Sequence, residues 1–307
     1  MALPTTPFAA TALGVLAPVC WGCSVSLMRA IVEEFGVAPG ECLLYAIATV
    51  YLYFTVGLPD FSKMRLRYWI FGIGNALACS LTLVFSIYLS TGGKQTMEVG
   101  MINYLWPAMT ILFAVLFTGQ KADWRLWPGM ALSVFGIFWI LSGGEFSFTE
   151  FAQRFLSNPW SYVLAFFGAL TWVNYTTVTK LWSEGQNPST VVFALLTLIY
   201  AGLWALGVGE VHTATVKGAF SSVFGGFIMA SAYVLWTNGV QHGRISILSI
   251  ASYFTPVLSC VIGVFWIDAR LTGDFWAGVA VLTVGSRLCW RATRTDTPSA
   301  QPRGSST

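Results

Sequence analysis

Long apolar stretches separated by short polar connections run through almost the whole chain. Ten of them approach the length of about 20 residues that a helix needs to cross roughly 30 Å of hydrocarbon. They are centred near residues 18, 49, 80, 108, 134, 170, 198, 229, 256 and 281. The pattern therefore predicts an all-α integral membrane protein with ten transmembrane helices.

The second half of the chain repeats the first. The segment from Asn103 to Gly136 recurs 149 residues later, from Ser252 to Gly285, without a gap. Because each half would hold five helices, an odd number, the second half must cross the membrane upside down. We therefore predict two inverted five-helix repeats around a central cavity, residues 1–144 and 145–291, followed by a disordered cytoplasmic tail, residues 292–307. Such repeats are typical of transporters.

The composition supports a membrane protein, with 56% apolar and only 9% charged residues. Of the Lys and Arg residues, eleven fall on the connections of one side and five on those of the other. The positive-inside rule then places both termini in the cytoplasm and, with the resemblance described below, the protein in a bacterial inner membrane. Because no basic face is predicted, we expect the lipid bilayer and not nucleic acid as partner.

Two short motifs are better explained by packing than by chemistry. Cys20 and Cys23 match a redox or metal pattern, but they lie in an apolar helix where a thiolate is strongly disfavoured. Asn174 fits a glycosylation signal inside helix six, where it more simply faces a cavity. No cluster of acidic residues, His or Ser typical of a membrane enzyme is present. We expect no disulfide, metal, cofactor or enzymatic activity.

Helices four and nine each carry a proline near the middle, Pro107 and Pro256, which predicts a kink in both. Polar backbone at such a depth is tolerated where it lines a wet cavity. The simpler alternative is that the prolines only kink, small residues only pack and the aromatic residues only populate the interfacial belts. Under that alternative Gly129, Gly136 and their repeat partners are close-packing positions, and we assign them no other role.

The predicted cavity is neutral and aromatic. No charged residue falls in the central part of a predicted helix, which disfavours tight proton coupling. Rings and hydroxyls suit a ligand with an aromatic body, an ammonium and a carboxylate. The predicted lining comprises Trp21, Ser24, Thr82, Ser86, Asn103, Tyr104, Trp106, Thr171, Trp172, Asn174, Tyr175, Tyr233, Trp236, Ser252, Tyr253 and Thr255.

From about residue 8 to residue 291, the chain resembles the drug/metabolite transporter superfamily, whose members carry two five-helix repeats of the EamA type. The resemblance depends on the repeated segments that end at Gly136 and Gly285, and on Trp21 with Gly22. Within the superfamily, residues 101–115 look most like bacterial aromatic amino acid exporters. That resemblance implies export of phenylalanine, tyrosine and tryptophan, with Trp21, Tyr104, Trp106 and Trp172 as cavity aromatics.

We therefore expect an alternating-access exporter of aromatic amino acids and hypothesise facilitated diffusion. One alternative is an exporter of other metabolites or drugs. Another is a membrane scaffold or receptor that binds a ligand without moving it. We expect a monomer, with a dimer as the alternative.

Overall fold

The computed structural model describes residues 3–211, 215–267 and 272–293. These ranges are helical throughout and contain no strand. In the first half the helices are α1 (Pro7–Gly14), α2 (Leu16–Phe35), α3 (Val37–Thr55), α4 (Leu66–Tyr68), α5 (Gly74–Tyr88), α6 (Gly93–Asn103), α7 (Trp106–Phe117) and α8 (Leu126–Leu141). In the second half they are α9 (Phe148–Ser157), α10 (Pro159–Trp182), α11 (Ser189–Ala205), α12 (Val216–His242), α13 (Ile245–Ser252), α14 (Thr255–Ile267) and α15 (Gly273–Ala292).

Six helical stretches are long and apolar enough to cross a membrane: Pro7–Ser24, Val37–Thr55, Leu66–Tyr88, Lys94–Phe117, Val216–His242 and Ile245–Ile262. The apolar helices α8 and α11 are shorter. The helices α10 and α15 are long enough, with 24 and 20 residues, but are not among these six stretches. The described residues thus contain six clear spans, and the expected total of ten remains a prediction.

Helices of the two halves pack directly against each other. The main pairs are α8 with α15, α3 with α11, α2 with α12 and α5 with α10. One large buried core joins residues of both halves, including Tyr45, Trp106, Trp172, Phe193 and Trp236. The halves therefore do not form separate globules, and the contact between them is the centre of the molecule.

The pair α8–α15 is held at backbone distance by glycines. A Cβ atom added to Gly136 would lie 2.9 Å from the carbonyl oxygen of Gly278, and one added to Gly129 would lie 3.0 Å from that of Gly285. No side chain fits at such distances without displacing the neighbouring helix. This confirms that the four glycines, which we call the glycine seam, are close-packing positions.

At both predicted kinks the regular helix is interrupted just before the proline, although Leu105 and Tyr253 keep nearly helical backbone angles. Helix α6 ends at Asn103 and α7 begins at Trp106, so that Pro107 is the second residue of a new helix. Likewise α13 ends at Ser252, and Pro256 is the second residue of α14. Proline is favoured there because the first amide groups of a helix have no partner within it.

Helix α9, between the two halves, was not predicted. It is amphipathic. Phe151 and Phe155 pack on Tyr162, although Phe155 is still 37% exposed, and Phe148 and Leu156 are more exposed. Ser147 caps its first turn by accepting a hydrogen bond from the amide of Glu150. The Ser-x-x-Glu pattern of a capping box was the available signal.

The predicted disordered tail, residues 292–307, overlaps the described residues at Ala292, which is the last residue of α15 and is buried. Thr293 is also described. Residues 294–307, which make up the rest of the predicted tail, lie outside the described residues.

Candidate functional site

Four tryptophans meet where the two halves join. They are Trp21 on α2, Trp106 on α7, Trp172 on α10 and Trp236 on α12, and we call them the tryptophan cluster. Each ring contacts the other three, since all six centroid distances lie between 5.3 and 6.0 Å. Most pairs are edge-to-face, a favoured arrangement for aromatic rings at these distances.

The helix interruption and a glycine help to place these rings. Trp106 is the first residue of α7, so the break after Asn103 fixes its position. Trp21 precedes Gly22, where an added Cβ would lie 3.2 Å from the carbonyl oxygen of Thr255. Because Gly22 lets α2 approach α14 closely, Trp21 is held at the interface between the halves.

Three more aromatic residues surround the tryptophan cluster. Tyr233 lies 5.4 Å from Trp172 and 4.7 Å from Phe193, centroid to centroid. Tyr175 lies 5.5 Å from Trp172, and its hydroxyl is 3.5 Å from that of Thr237. The structure thus brings together six of the predicted aromatic residues and adds Phe193, which the sequence reasoning missed.

The indole N–H groups of the cluster differ in their partners. Trp236 Nε1 donates to Thr176 Oγ1 at 3.3 Å. Trp172 Nε1 is buried, and no acceptor for it exists among the described residues. A buried donor without a partner costs free energy. Trp172 therefore presents an N–H group that an anionic group of a ligand can satisfy.

The predicted hydroxyl residues near the cluster mostly bond to their own helices. Ser24, Ser86, Thr82 and Thr171 each donate to a carbonyl oxygen three or four residues earlier, at 2.6 to 2.9 Å. Their hydroxyl protons are therefore already in hydrogen bonds, and their lone pairs remain to accept hydrogen bonds from a ligand.

The two predicted amide residues occupy different places. Asn103 lies beside α10, where a Cβ added to Gly168 would meet its Nδ2 at 3.6 Å and Thr82 Oγ1 at 3.0 Å. Asn174 is half-buried, two residues after Trp172.

The structure places the remaining predicted lining residues outside the tryptophan cluster. Tyr104 and Tyr253 belong to a second apolar core, which includes Ile111 and Leu282. Ser252 donates to the carbonyl oxygen of its own helix at Leu248, and Thr255 bonds to that of Pro18 at 3.4 Å. Tyr104 and Tyr253 each come two residues before Trp106 and Thr255, and a residue two positions away lies on the opposite side of a helix.

The tryptophan rings fill the centre that we expected to be open. A cavity of about 480 Å³ lies instead towards one end of the bundle. Its polar lining includes Tyr51, Asn187, Asn238, Gln241 and His242. In the described part of the chain none of the predicted lining residues reaches it, although Val234 and Leu235, the neighbours of Tyr233 and Trp236, do.

A buried ion pair lies towards the other end of the bundle. Glu98 on α6 is only 4% exposed. Its two oxygens lie 3.0 and 3.1 Å from Arg154 Nε, and it also accepts from the Tyr162 hydroxyl. The hydrogen bonds of Arg154 to Glu98, and those to Glu150, raise the pKa of Arg154. The sequence analysis missed this pair because its members are 56 residues apart.

The sequence profile of the EamA-like transporter family matches residues 9–142 and 159–291. A protein of Salmonella typhimurium named aromatic amino acid exporter YddG is 37% identical over 288 residues, which covers 93% of this chain and 98% of that protein. The protein of the same name from Escherichia coli is 37% identical over 292 residues, with the same coverage. One from Ancylobacter novellus is 22% identical over 227 residues, 72% of this chain and 74% of its own. A solved crystal structure is similar in fold, with a TM-score of 0.74 at 22% identity, covering 94% of this chain and all of the other.

Proposed function

Because the chain belongs to the EamA-like transporter family, we propose that it exports aromatic amino acids across the bacterial inner membrane. The main support is the tryptophan cluster at the contact between the halves. Relatives of almost equal length that are named aromatic amino acid exporters add to it. Two specific features of the cluster fit such a substrate.

The first feature is the ring arrangement. The cluster rings pack edge to face, at distances where aromatic pairs gain about 0.5–1.5 kcal/mol beyond the burial of their area. When a substrate ring inserts between Trp106 and Trp172, the contact between these two rings is replaced by a contact of each with the substrate. Little attraction is therefore lost. An ammonium group over an indole or phenol face adds about 0.5–2 kcal/mol.

The second feature is the N–H group of Trp172. It lacks an acceptor among the described residues, and a substrate carboxylate supplies one. Hydrogen bonds to charged groups contribute about 1.5–3 kcal/mol. We therefore propose Trp21, Trp106, Trp172, Trp236 and Tyr233 as the residues that contact the substrate, with Asn103 and Asn174 close by.

Alternating access is the transport mechanism we propose, with ten spans in two inverted five-helix repeats. The pairing of helices supports it: α2 packs on α12 and α5 packs on α10, and exchange of the two halves converts one pair into the other. The predicted repeat boundary, residues 144 and 145, lies between the two segments that match the family profile.

The cavity opens near the amino-terminal segment, where Leu3 and Thr5 line it. If both termini lie in the cytoplasm, as the Lys and Arg distribution predicts, the cavity faces inward. Rings that now seal the centre would then separate to pass the substrate outward. We propose that this step is driven by the substrate gradient and changes no covalent bond of the substrate.

Counterflow tests this proposal directly. Purified protein in liposomes preloaded with unlabelled phenylalanine should accumulate labelled phenylalanine without any ion gradient. Accumulation that excess tyrosine or tryptophan suppresses, but an unrelated amphiphile does not, supports the proposal. Accumulation suppressed only by the amphiphile favours an exporter of other metabolites or drugs. Binding of phenylalanine without any flux favours the scaffold or receptor.

A further inference from the structure

A second buried carboxylate, Glu41, lies where α3 packs against α11 and α12 of the other half. Its side chain is 4% exposed, and its Oε2 atom has no hydrogen-bond partner among the described residues. We propose that Glu41 is a proton-binding site that must be loaded for this end of the transporter to close. The inference rests on the alternating-access cycle proposed above.

Neutralisation of Glu41 follows from its surroundings. A carboxylate buried without a partner costs so much free energy that such groups bind a proton instead. In the ranges that the structure describes, no Lys or Arg forms an ion pair with Glu41. Glu41 lies beyond the first turn of α3, where the helix dipole gives little support to a charge.

The titratable groups that face Glu41 are phenols. Tyr45 on its own helix, Tyr200 on α11 and Tyr233 on α12 all lie within electrostatic range. The adjacent Cys42 contacts the carbonyl oxygen of Thr197 on α11 at 3.7 Å.

The charged groups on α2 and α12 whose side chains the structure describes have different partners or lie at helix ends. Glu33 and Glu34 are at the end of α2, and Glu34 accepts hydrogen bonds from Thr215. Lys217, in the first turn of α12, interacts with Glu34. None of these groups supplies the positive partner that an ionised Glu41 needs.

Glu41 is connected to the tryptophan cluster through packed side chains. The Tyr45 hydroxyl is 3.1 Å from Ser80 Oγ, which is 3.2 Å from the Tyr200 hydroxyl. Tyr45 also lies 5.2 Å from Phe193, which contacts Tyr233. Separation of α3 from α11 therefore disturbs the same aromatic residues that surround the proposed substrate site.

Glu41 lies at the closed end of the bundle. The cavity is lined by Tyr51, Thr55 and Val56, at and just beyond the other end of α3. Ten residues separate Glu41 from Tyr51, which is about 15 Å along a helix. A closed end in one state of an alternating-access cycle is the open end in the other state, where water reaches Glu41.

A proton is the ligand that fits this site. Glu41 does not line the 480 Å³ cavity and is 4% exposed, and a proton, unlike an amino acid, needs no cavity to bind. When α3 and α11 separate, the carboxylic acid ionises by losing its proton to water. Before they close, the carboxylate takes up one proton from water, and only this O–H bond forms or breaks. Lower pH therefore favours the closed conformation described here.

Alkylation of Cys42 tests the proposal without any substrate. Cys42 is partly exposed in this conformation and contacts Thr197 on α11, so an increase in its rate with iodoacetamide, measured by peptide mass spectrometry on protein in liposomes, reports separation of α3 from α11. Thiol reactivity itself rises with pH, so Glu41→Gln, which imitates the protonated form, supplies the baseline. We expect the wild-type rate to exceed that of Glu41→Gln at high pH and to approach it at low pH. Because one proton is involved, their ratio should change by up to about tenfold per pH unit.

Three further variants make the result decisive. Glu41→Asp keeps a titratable group and should keep the pH-dependent ratio. Exposed Glu150→Gln should behave like the wild type. If Glu41→Gln does not fold, Glu41→Ala serves as the baseline. A ratio that stays constant across pH overturns the inference, even when phenylalanine counterflow succeeds. Failure of counterflow with a pH-dependent ratio instead contradicts the proposed substrate and leaves the proton site standing.

Discussion

The two halves meet in two regions of opposite character, the glycine seam and the tryptophan cluster. At the seam, backbone faces backbone: a Cβ added to Gly285 would lie 2.7 Å from the carbonyl oxygen of Gly129. At the cluster, four large rings contact one another across four different helices. Apart from Ser133, Ile140 and Cys289, the atoms that an added Cβ would meet at the seam belong to the backbone, whereas the rings of the cluster can turn about their χ angles. We therefore propose that the seam stays fixed in the transport cycle while the cluster opens.

The largest effect is expected from filling the seam. A Cβ at position 136 would lie 2.7 Å from the amide nitrogen of Leu282. Gly136→Leu should destabilise the protein by about 3 kcal/mol or more, because overpacking against a backbone has no cheap relief. Thermal unfolding in detergent measures this.

Gly202→Ala is the matched control for the seam. Gly202 lies within α11, and nothing described lies within 4 Å of an added Cβ there. Alanine should stabilise that helix by up to about 1 kcal/mol. A Gly136→Leu protein as stable as this control would show that the seam yields.

A smaller loss of stability is expected from the ion pair between Glu98 and Arg154, which joins the first half to α9. In Arg154→Met the buried Glu98 carboxylate keeps its Tyr162 bond but loses its cation. Since Arg154 is partly exposed, we expect about 2 kcal/mol, less than the 3–5 kcal/mol of a fully buried pair. The free energy of unfolding of Arg154→Met, compared with that of the double variant Glu98→Gln/Arg154→Met, measures this loss. The double variant should recover part of the loss, and equal losses in both would contradict the explanation.

The tryptophan cluster should respond in transport more than in stability. Trp172→Phe keeps a ring but removes the N–H group that lacks an acceptor among the described residues. Phenylalanine counterflow should then need about tenfold more substrate for half its maximal rate, as expected for a lost bond of about 1.5 kcal/mol to a charged group.

Trp236→Phe is the control for the lost N–H group, because that of Trp236 already donates to Thr176. Its half-saturating concentration should change much less. The same shift in both variants would mean that ring size, and not the Trp172 N–H, sets the affinity.

The smallest effect concerns the exposed carboxylate Glu150. Its bonds to Arg154 and its attraction to Lys94 lower its pKa. The stabilisation they give is complete well above pH 4.3, the approximate pKa of an unperturbed Glu, and is lost as the pH falls through the lowered value. Thermal unfolding from pH 7 downward should show a slightly steeper loss for the wild type than for Glu150→Gln. Parallel stability curves for the two proteins would mean that the ion pairs of Glu150 do not contribute to stability.

Those features of the fold that depend on a single helix could be predicted from the sequence. Apolar stretches located the helices, and Gly129 and Gly136, seven residues apart on one face, identified the seam. The prolines located the interruptions. Tyr104 and Tyr253 were predicted to line the cavity but pack in the second core, because each lies on the side of its helix opposite the residue two positions later.

The site was predictable in its residue types but not in its contacts. Trp21, Trp106 and Trp172 were expected to line one space, and they do meet. Whether their rings touch depends on how closely α2, α7 and α10 approach one another. Side chains of both halves together set that distance. The Glu98–Arg154 pair and the phenols around Glu41 join distant segments, so the sequence pattern did not indicate them.

The reciprocal contacts of the glycine seam constrain how the duplicated halves can diverge. Gly129 touches Gly285, which is the repeat counterpart of Gly136. Gly136 touches Gly278, which is the repeat counterpart of Gly129. A larger residue in either copy is blocked by the opposite copy, and the opposite copy cannot become smaller than glycine to make room. After a gene duplication, a larger residue at any of these four positions is therefore blocked by the opposite copy. Ring positions such as Trp106, whose counterpart is Thr255, can change independently in the two copies.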